Sequence, residues 1–260
     1  MIRGARLRAA LAYGIDALGS ALLSPRCAAC DSLLDRPLAG PVCPVCWAAV
    51  RSITPPVCDL CGGPLPSWRS VSRELAACPR CRRSVRAVDR ARAVGLYEGA
   101  LRAIIHALKY ERRRSVARRL SDLMRQSGHE ILADADFAVP VPLHPSRRRA
   151  RGFNQAADLA AGLGVPILCG LRRGRKTPPQ TGLPESQRHR NVRGAFALAE
   201  PRWQPWGAAV QGRLEGRRIV LVDDVATTGA TLEACARVLK AAGAREVRAL
   251  TAARALKRPP

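Results

Sequence analysis

The sequence is poor in aromatic residues and in acidic residues, and it has no long apolar run. Aromatic side chains make up 4% of the 260 residues and apolar residues make up 47%, so a core must consist mostly of Ala, Leu and Val. The longest apolar stretches are shorter than the roughly 18 residues that a membrane-spanning helix needs. We therefore expect no membrane insertion.

The shortage of acidic residues leaves a large positive charge. Lys and Arg number 44 against 20 Asp and Glu, which gives a net charge of +24. Such a field attracts polyanions, and we expect single-stranded DNA among the partners. The densest basic segments are Arg112–Arg114, Arg147–Arg151, Arg172–Lys176 and Arg188–Arg193. Lysine is scarce, so Arg-rich usage from a genome of high GC content is an alternative explanation that stays open.

The first residues combine early arginines with an apolar stretch, as a secretory signal peptide does. Asp16 interrupts that stretch, and Ser24-Pro25-Arg26 is a poor cleavage site. The apolar residues fall at helical spacing instead. They are Leu7, Leu11, Ile15, Leu18 and Leu22. We predict an amphipathic helix over residues 1–26 and a cytoplasmic location.

Eight of the ten cysteines form four CxxC pairs in a segment rich in Pro and Gly, over residues 27–87. The pairs are Cys27 and Cys30, Cys43 and Cys46, Cys58 and Cys61, and Cys78 and Cys81. In a reducing compartment such pairs indicate metal more than disulfides, with redox thiols as the alternative. Two CxxC turns complete one tetrahedral Zn²⁺ site, so we predict two structural zinc sites. Successive pairs are expected to combine, and interleaved pairing is an alternative. Cys169 and Cys235 lie in apolar patterns and are expected in the core.

Beyond residue 88, apolar segments of strand length alternate with helical patterns. This alternation predicts an α/β domain over residues 88–260 with a mostly parallel sheet. The predicted strands are Ala91–Tyr97, Phe137–Leu143, Val165–Leu171, Arg217–Asp223 and Glu246–Ala252. The predicted helices cover Leu101–Leu108, Val116–Gln126, Phe153–Leu163 and Thr231–Ala242. Ligands of such sheets bind at the carboxyl ends of the strands, which is where Asp223 is expected.

The most specific stretch runs from Val220 to Thr231. A buried strand leads into Asp223 and Asp224, and a loop of small residues then opens a helix. That loop consists of Thr227, Thr228, Gly229, Ala230 and Thr231. Backbone amides at a helix start can hold a phosphate, and carboxylates can accept from ribose hydroxyls and support Mg²⁺. The stretch therefore predicts a cradle for phosphoribosyl pyrophosphate (PRPP).

This stretch resembles the PRPP motif of type I phosphoribosyltransferases, and two further segments resemble the signature of the ComF family. The first runs from Pro142 to Gln155, and the second from Lys176 to Phe196. Together with the cysteine pairs, the resemblance covers nearly the whole chain. It implies a five-stranded parallel phosphoribosyltransferase core, with a zinc module in place of the usual hood subdomain.

The resemblance also implies roles for single residues. The turn after the Phe137–Leu143 strand corresponds to the pyrophosphate loop. The arginines around it are expected to meet the diphosphate, Arg147 and Arg151 above all, with Arg148 and Arg149 as further candidates. The segment Arg172–Arg193 corresponds to a mobile loop that closes over PRPP. Its candidates for anion contact are Arg188, Asn191 and Arg193, and Lys109 matches the family as well.

The implied function is a transferase that uses PRPP with Mg²⁺ and acts in natural transformation, on or with incoming single-stranded DNA. The acceptor is not identified by the sequence. The alternative is a non-catalytic adaptor that binds PRPP or a nucleotide. In that case the zinc module docks a DNA-uptake partner such as a competence helicase or a recombination mediator.

Overall fold

The computed structural model of the chain describes residues 24–66, 76–175, 192, 194–199 and 210–256. Nearly all of the helix expected over residues 1–26 lies outside the described residues. The same holds for the loop candidates Arg188, Asn191 and Arg193. No helix within the described ranges is long and apolar enough to cross a membrane.

The helices of the described residues are numbered here in chain order. They are α1 (Pro44–Ala48), α2 (Pro79–Arg82), α3 (Gly99–Tyr110), α4 (Val116–Ser127), α5 (His129–Leu132), α6 (Pro145–Arg151), α7 (Gln155–Ala161), α8 (Val210–Leu214) and α9 (Ala230–Ala241). The strands are β1 (Arg90–Leu96), β2 (Phe137–Pro140), β3 (Leu171–Arg173), β4 (Phe196–Leu198), β5 (Arg218–Ala226) and β6 (Glu246–Arg254).

Two cysteine-rich ribbons precede the sheet. Each contains one short helix, α1 or α2, that begins with proline directly after a cysteine. Proline suits the first helical position because its φ angle is preset and its missing N–H has no partner to lose there. The first ribbon also contributes Cys27, Leu34 and Cys46 to the apolar core around α3. The first ribbon is thus packed against the sheet domain.

Four strands form a parallel sheet in the order β1-β6-β5-β2. The central strand β5 is apolar on both faces at Ile219–Val222, because helices cover both sides of the sheet. One face packs against α3, α4 and α7, and the other against α8 and α9. Cys235 is buried in the second of these cores, as expected, whereas Cys169 is exposed.

The expected fifth strand over Val165–Leu171 is reduced to one bridge at the sheet edge. Ile167 pairs in parallel with Ala138, whose amide donates to the Pro166 carbonyl at 2.8 Å. Pro166 has no N–H, and Gly164 before it has φ +76°, so the ladder does not extend in that direction. The chain then enters β3, which pairs antiparallel with β4 in a separate two-stranded sheet.

Helix α6 was not expected, because its arginine-rich sequence was interpreted as a turn. Arginine is a good helix former, and both ends of the segment carry boundary signals. His144 caps the start, its Nδ1 accepting from the Ser146 amide at 3.2 Å, and Pro145 occupies the first helical position. Gly152 ends the helix at φ +85°. The four other helices expected after residue 88 match α3, α4, α7 and α9 to within a few residues.

Candidate functional site

Two groups of four cysteines form metal-binding geometries. The groups are Cys27, Cys30, Cys43 and Cys46, and Cys58, Cys61, Cys78 and Cys81. Within each group all Sγ atoms lie within 4.8 Å of one another. The Sγ atoms of Cys30 and Cys43, and those of Cys61 and Cys78, are 3.9 Å apart. Tetrahedral Zn²⁺ with bonds of about 2.3 Å separates its sulfur ligands by about 3.8 Å. The donor sets therefore fit two Zn²⁺ ions, with successive CxxC pairs combined.

Backbone amides point at the sulfur atoms and favour the thiolate form that zinc requires. The amide of Cys43 donates to Cys27 Sγ at 3.3 Å, and that of Cys78 donates to Cys58 Sγ at 3.3 Å. The hydrogen bond with Cys61, together with backbone amides and against the effect of burial, lowers the pKa of Cys58 to about 4. Cys58 is thus favoured as a thiolate, the form that binds Zn²⁺, whereas the pKa values of Cys61 and Cys81 are raised.

A cavity of about 1160 Å³ lies at the carboxyl ends of the four parallel strands. Tyr97 follows β1, Val141 follows β2, and Leu256 follows β6 in its lining. Strand β2 ends opposite Val222, so β5 continues four residues beyond its neighbour on that side, to Ala226. Asp223 and Asp224 lie in this overhang, since β5 does not end at Asp223, as predicted, but continues to Ala226. The crevice outside the carboxyl ends of the strands is where such parallel sheets hold ligands.

The two adjacent carboxylates have different surroundings because neighbouring residues of a strand face opposite sides. Asp224 is buried, and Lys109 Nζ lies 2.9 Å from its Oδ2. Asp223 is partly exposed to the cavity, and its Oδ1 accepts from the Asp224 amide at 2.9 Å. Burial and the neighbouring charge of Asp224 raise the pKa of Asp223 to about 7. Asp224 is therefore ion-paired, while Asp223 is an acceptor that titrates near neutral pH.

Lys109 remains a cation in spite of its surroundings. Burial acts to lower the pKa of Lys109, but the charges of Asp224 and Asp223 outweigh it, and the pKa is raised. Helix α3 places the ammonium group here because Lys109 lies in its last turn, above the carboxyl end of β5. The sequence singled out Lys109 only by resemblance, and the structure joins it to the acid pair.

The loop between β5 and α9 has the form of an anion cradle. Gly229 has φ +80° and caps α9, and a Cβ there would meet no atom within 4 Å. Glycine is thus required by the backbone conformation and leaves that side of the loop open. Thr228 Oγ1 accepts from the Ala230 amide at 3.3 Å, and Thr227 and Thr231 line the cavity. The start of a 12-residue helix adds its dipole to these groups.

Helix α6 brings two of its arginines to the cavity. Arg147 and Arg151, one turn apart, are lining residues, whereas Arg148 and Arg149 between them are not. Arg151 is held in place, since its Nη1 donates to Gln155 Oε1 at 2.5 Å and its guanidinium lies 5.4 Å from the Tyr110 ring centre. The basic segment therefore presents one face to the cavity and the other to solvent.

Two arginines that the sequence analysis did not select, Arg80 and Arg254, line the cavity, and Arg173 of the basic segment Arg172–Lys176 joins them. Arg173 comes from β3, where burial and the nearby Arg147 charge lower its pKa and its guanidinium lies 5.2 Å from the Phe196 ring centre. Arg254 ends β6, and that position at a strand's carboxyl end was a usable signal. Arg80 lies inside a CxxC turn, where no sequence signal separates it from its neighbours.

The charge of the lining is strongly unbalanced. Among the described residues, seven cationic side chains and two carboxylates line the cavity. The cations are Arg80, Lys109, Arg112, Arg147, Arg151, Arg173 and Arg254. A concave site with this excess concentrates anions and strengthens each contact with them. The acid pair at its base is the exception, and acceptors of that kind suit hydroxyl groups or a divalent cation.

Comparisons with known proteins find matches for both the cysteine-rich segment and the sheet domain. Residues 18–82 match the family model described as "Double zinc ribbon domain", and residues 149–259 match "Phosphoribosyl transferase domain". The chain is 33% identical over 219 residues to the DNA utilization protein YhgH of Escherichia coli, covering 79% of this chain and 87% of that protein. It is 28% identical over 224 residues to Competence protein F of Haemophilus influenzae, covering 82% and 90%. It is 27% identical over 199 residues to Competence protein ComFC of Bacillus subtilis, covering 76% and 77%.

Proposed function

The chain belongs to the ComF family, and from this premise we propose that it binds PRPP with Mg²⁺ in the cavity above β5. We further propose that it acts as a phosphoribosyltransferase-like protein in natural transformation, on or with incoming single-stranded DNA. One observation carries the proposal. The acid pair Asp223 and Asp224, the threonine–glycine loop and the basic face of α6 all border a single cavity.

Each part of PRPP has a chemically matched set of groups. Asp223 would accept hydrogen bonds from the ribose hydroxyls. The loop Thr227–Thr231 would hold the 5-phosphate through backbone amides and hydroxyls. Arg147 and Arg151 would meet the diphosphate through charge-assisted hydrogen bonds. Carboxylate oxygens are the ligands that Mg²⁺ prefers, so the acid pair would support it directly or through water, and the ion would offset diphosphate charge.

The Lys109–Asp224 ion pair gives the two carboxylates different roles. Lys109 neutralises Asp224 at 2.9 Å, so this side chain holds its conformation without a ligand. Asp223 faces the cavity, and within the described part of the chain no cation forms an ion pair with it. The ribose and its metal would therefore interact mainly with Asp223, and Asp224 would serve as its rigid support.

The corresponding reaction is transfer of the phosphoribosyl group. The bond between ribose C1 and the pyrophosphate oxygen breaks, pyrophosphate leaves with the electron pair, and a nucleophile bonds to C1. The cationic lining would stabilise the charge that develops on the leaving group. A pyrophosphate-release assay with bases, nucleosides and oligonucleotides as acceptors tests turnover. Release that depends on one acceptor class and is lost in Asp223→Asn supports a transferase.

A non-catalytic adaptor is the second candidate, and two observations favour it. No histidine lines the cavity among the described residues, and Asp223, the lining carboxylate with a pKa of about 7, is assigned to the ribose, so no separate base is evident for an acceptor. The first ribbon also exposes three apolar side chains, Leu33, Leu38 and Val45, at 60%, 64% and 76%. PRPP binding without pyrophosphate release, together with capture of a DNA-uptake partner that Val45→Ser abolishes, is the result this candidate predicts.

The remaining parts of the proposal concern DNA, organisation and location. Single-stranded DNA is the proposed polyanionic partner because of the +24 charge, and binding should weaken as salt rises, by about 0.7 in log–log slope per phosphate. We propose a helix over residues 1–26, a zinc module over 27–87 and a phosphoribosyltransferase-type domain over 88–260. We place the protein in the cytoplasm, where cysteine thiolates remain reduced and available to zinc.

A further inference from the structure

The second ribbon forms part of the wall of the cavity. Arg80 lies between Cys78 and Cys81, and its Nη2 donates to the Thr228 carbonyl at 2.5 Å. Arg80 and Thr228 both line the cavity. The CxxC turn that fits zinc therefore also holds the backbone of the loop that forms the anion cradle.

A second contact links the same turn to the start of α9. Arg86 Nη1 donates to Cys81 Sγ at 3.3 Å, and Arg86 Nη2 lies 3.0 Å from Glu233 Oε1. The other oxygen of Glu233 accepts from the Ala87 amide at 2.7 Å. Both side chains of the ion pair are largely buried. One sulfur of the metal site is thus connected through one arginine to the first turn of the helix that follows the loop.

The other CxxC turn of the second site is attached as well. Arg254 Nη1 donates to the Cys61 carbonyl at 2.6 Å, and Arg254 lines the cavity. The Ala91 amide at the start of β1 donates to the Leu60 carbonyl at 2.9 Å. Both turns that supply sulfur ligands to the second site are therefore fixed to the sheet domain beside the cavity.

The first ribbon is arranged differently. Its residues 24–50 are all described, and none of them lines the cavity. It packs instead into the apolar core around α3, with Cys27 and Cys46 among the buried residues. Both metal sites consist of two CxxC pairs, but they have different relations to the cavity, so each serves as a control for the other.

We propose that metal in the second site orders the anion cradle, with Arg80 as the positioning residue that holds Thr228 and adds positive charge to the cavity. A CxxC turn buries too little surface to keep its geometry without metal, so the Arg80 and Arg86 contacts depend on occupancy of that site. The cavity's affinity for a phosphate ester then depends on the second metal and not on the first. The proposal takes the identity of the ligand from the proposed function, but the ordering of the loop does not depend on it.

The test compares Arg80→Ala with Arg82→Ala in the full chain with zinc bound. Arg82 lies in the same short helix and is exposed, so its removal costs the same charge without the Thr228 contact. The first readout is hydrogen exchange of residues 224–232, and the second is calorimetric affinity for ribose 5-phosphate. Arg80→Ala is expected to raise exchange in that segment and to lower affinity about tenfold. Arg82→Ala is expected to leave both near wild type. Zinc content of two per chain in both variants shows that the ribbons are intact.

The metal arm compares Cys78→Ser with Cys30→Ser. Loss of the second metal is expected to raise exchange of residues 224–232, and loss of the first is expected to leave it unchanged. Equal exchange of this segment in Arg80→Ala and Arg82→Ala would overturn the proposal. A wild-type protein that binds neither ribose 5-phosphate nor PRPP would refute the proposed function, while the exchange result would still decide whether the second ribbon orders the loop.

Discussion

Lys109 Nζ lies 2.9 Å from Asp224 Oδ2, and both side chains are largely buried beneath the cavity. The contact joins the last turn of α3 to the overhanging end of β5, two elements that only the folded sheet brings together. It gives one of two adjacent carboxylates a permanent counter-ion and leaves the other facing the cavity. Burial and the charge of Asp224 raise the pKa of Asp223, and the charge of Lys109 acts against that rise.

Lys109→Met should destabilise the protein by about 3 kcal/mol, because it leaves the Asp224 carboxylate buried without its cation. Urea unfolding at pH 8 measures the change. The double variant Lys109→Met with Asp224→Asn should recover much of that loss, since no uncompensated charge remains. Additive losses in the double variant would mean that the two groups are not coupled as the structure indicates.

Asp223 should make ligand binding depend on pH around neutrality. Its pKa is raised to about 7, so the carboxylate that would accept from ribose and support Mg²⁺ is lost as pH falls below that value. The affinity for PRPP with Mg²⁺ should therefore rise between pH 6 and pH 8. Asp223→Asn should bind more weakly, and its affinity should follow only the ligand's own titration. The same PRPP titration of Asp223→Asn controls for that ligand titration.

The same pKa has a consequence for stability with the opposite sign. A carboxyl whose folded pKa lies above its unfolded value stabilises the fold at low pH, and this contribution is lost as pH rises from about 4 to about 7. Above pH 7 the buried charge is a cost that Asp223→Asn removes. The variant should melt a few degrees higher than wild type at pH 8. A lower melting temperature of the variant at pH 8 would show that the charged Asp223 carboxylate does not destabilise the ligand-free protein.

Much of the fold is encoded locally in the sequence. The strand at Ile219–Val222 and the helix after Gly229 follow from periodicity and from turn chemistry, and the structure places them within a few residues. The grouping of cysteines into two successive sites was also the expected arrangement. These features depend on neighbours in the chain, which a single sequence displays.

The features that the sequence did not predict depend on competing local signals for helix, turn or strand, or on contacts between residues far apart in the chain. The segment at Arg147–Arg151 was predicted as a turn because of its high charge. It is a helix because His144 and Pro145 start it and Gly152 ends it. The apolar residues of Val165–Leu171 predict an edge strand, but Pro166 lacks the N–H that would extend its pairing. Arg80 reaches Thr228 across 148 positions of the chain, and no local pattern carries that information.

The protein should contain two Zn²⁺ per chain, because two sets of four sulfur atoms have tetrahedral spacing. Elemental analysis of protein produced with ample zinc measures this. Cys58→Ser should reduce the content toward one, while Cys235→Ser, at a buried position in α9, should leave two. A wild-type content of one or none would contradict the double site.

Arg147→Ala and Arg148→Ala form a matched pair on α6, since only Arg147 lines the cavity. Loss of a charge-assisted contact should weaken PRPP binding about tenfold in Arg147→Ala. Arg148→Ala removes the same charge from the outer face and should change affinity less than about threefold. Similar losses in both variants would indicate a diffuse field and no specific diphosphate contact.

Calorimetric titration of PRPP with Mg²⁺ at pH 8 measures directly whether the cavity above β5 binds PRPP. Wild-type protein should bind one PRPP per chain, and Asp223→Asn should bind about tenfold more weakly or worse while retaining wild-type circular dichroism. Omission of Mg²⁺ should weaken wild-type binding more than it weakens the variant. Equal affinity in wild type and Asp223→Asn, or no binding by the zinc-loaded wild type, would contradict the assignment of this cavity as a PRPP site.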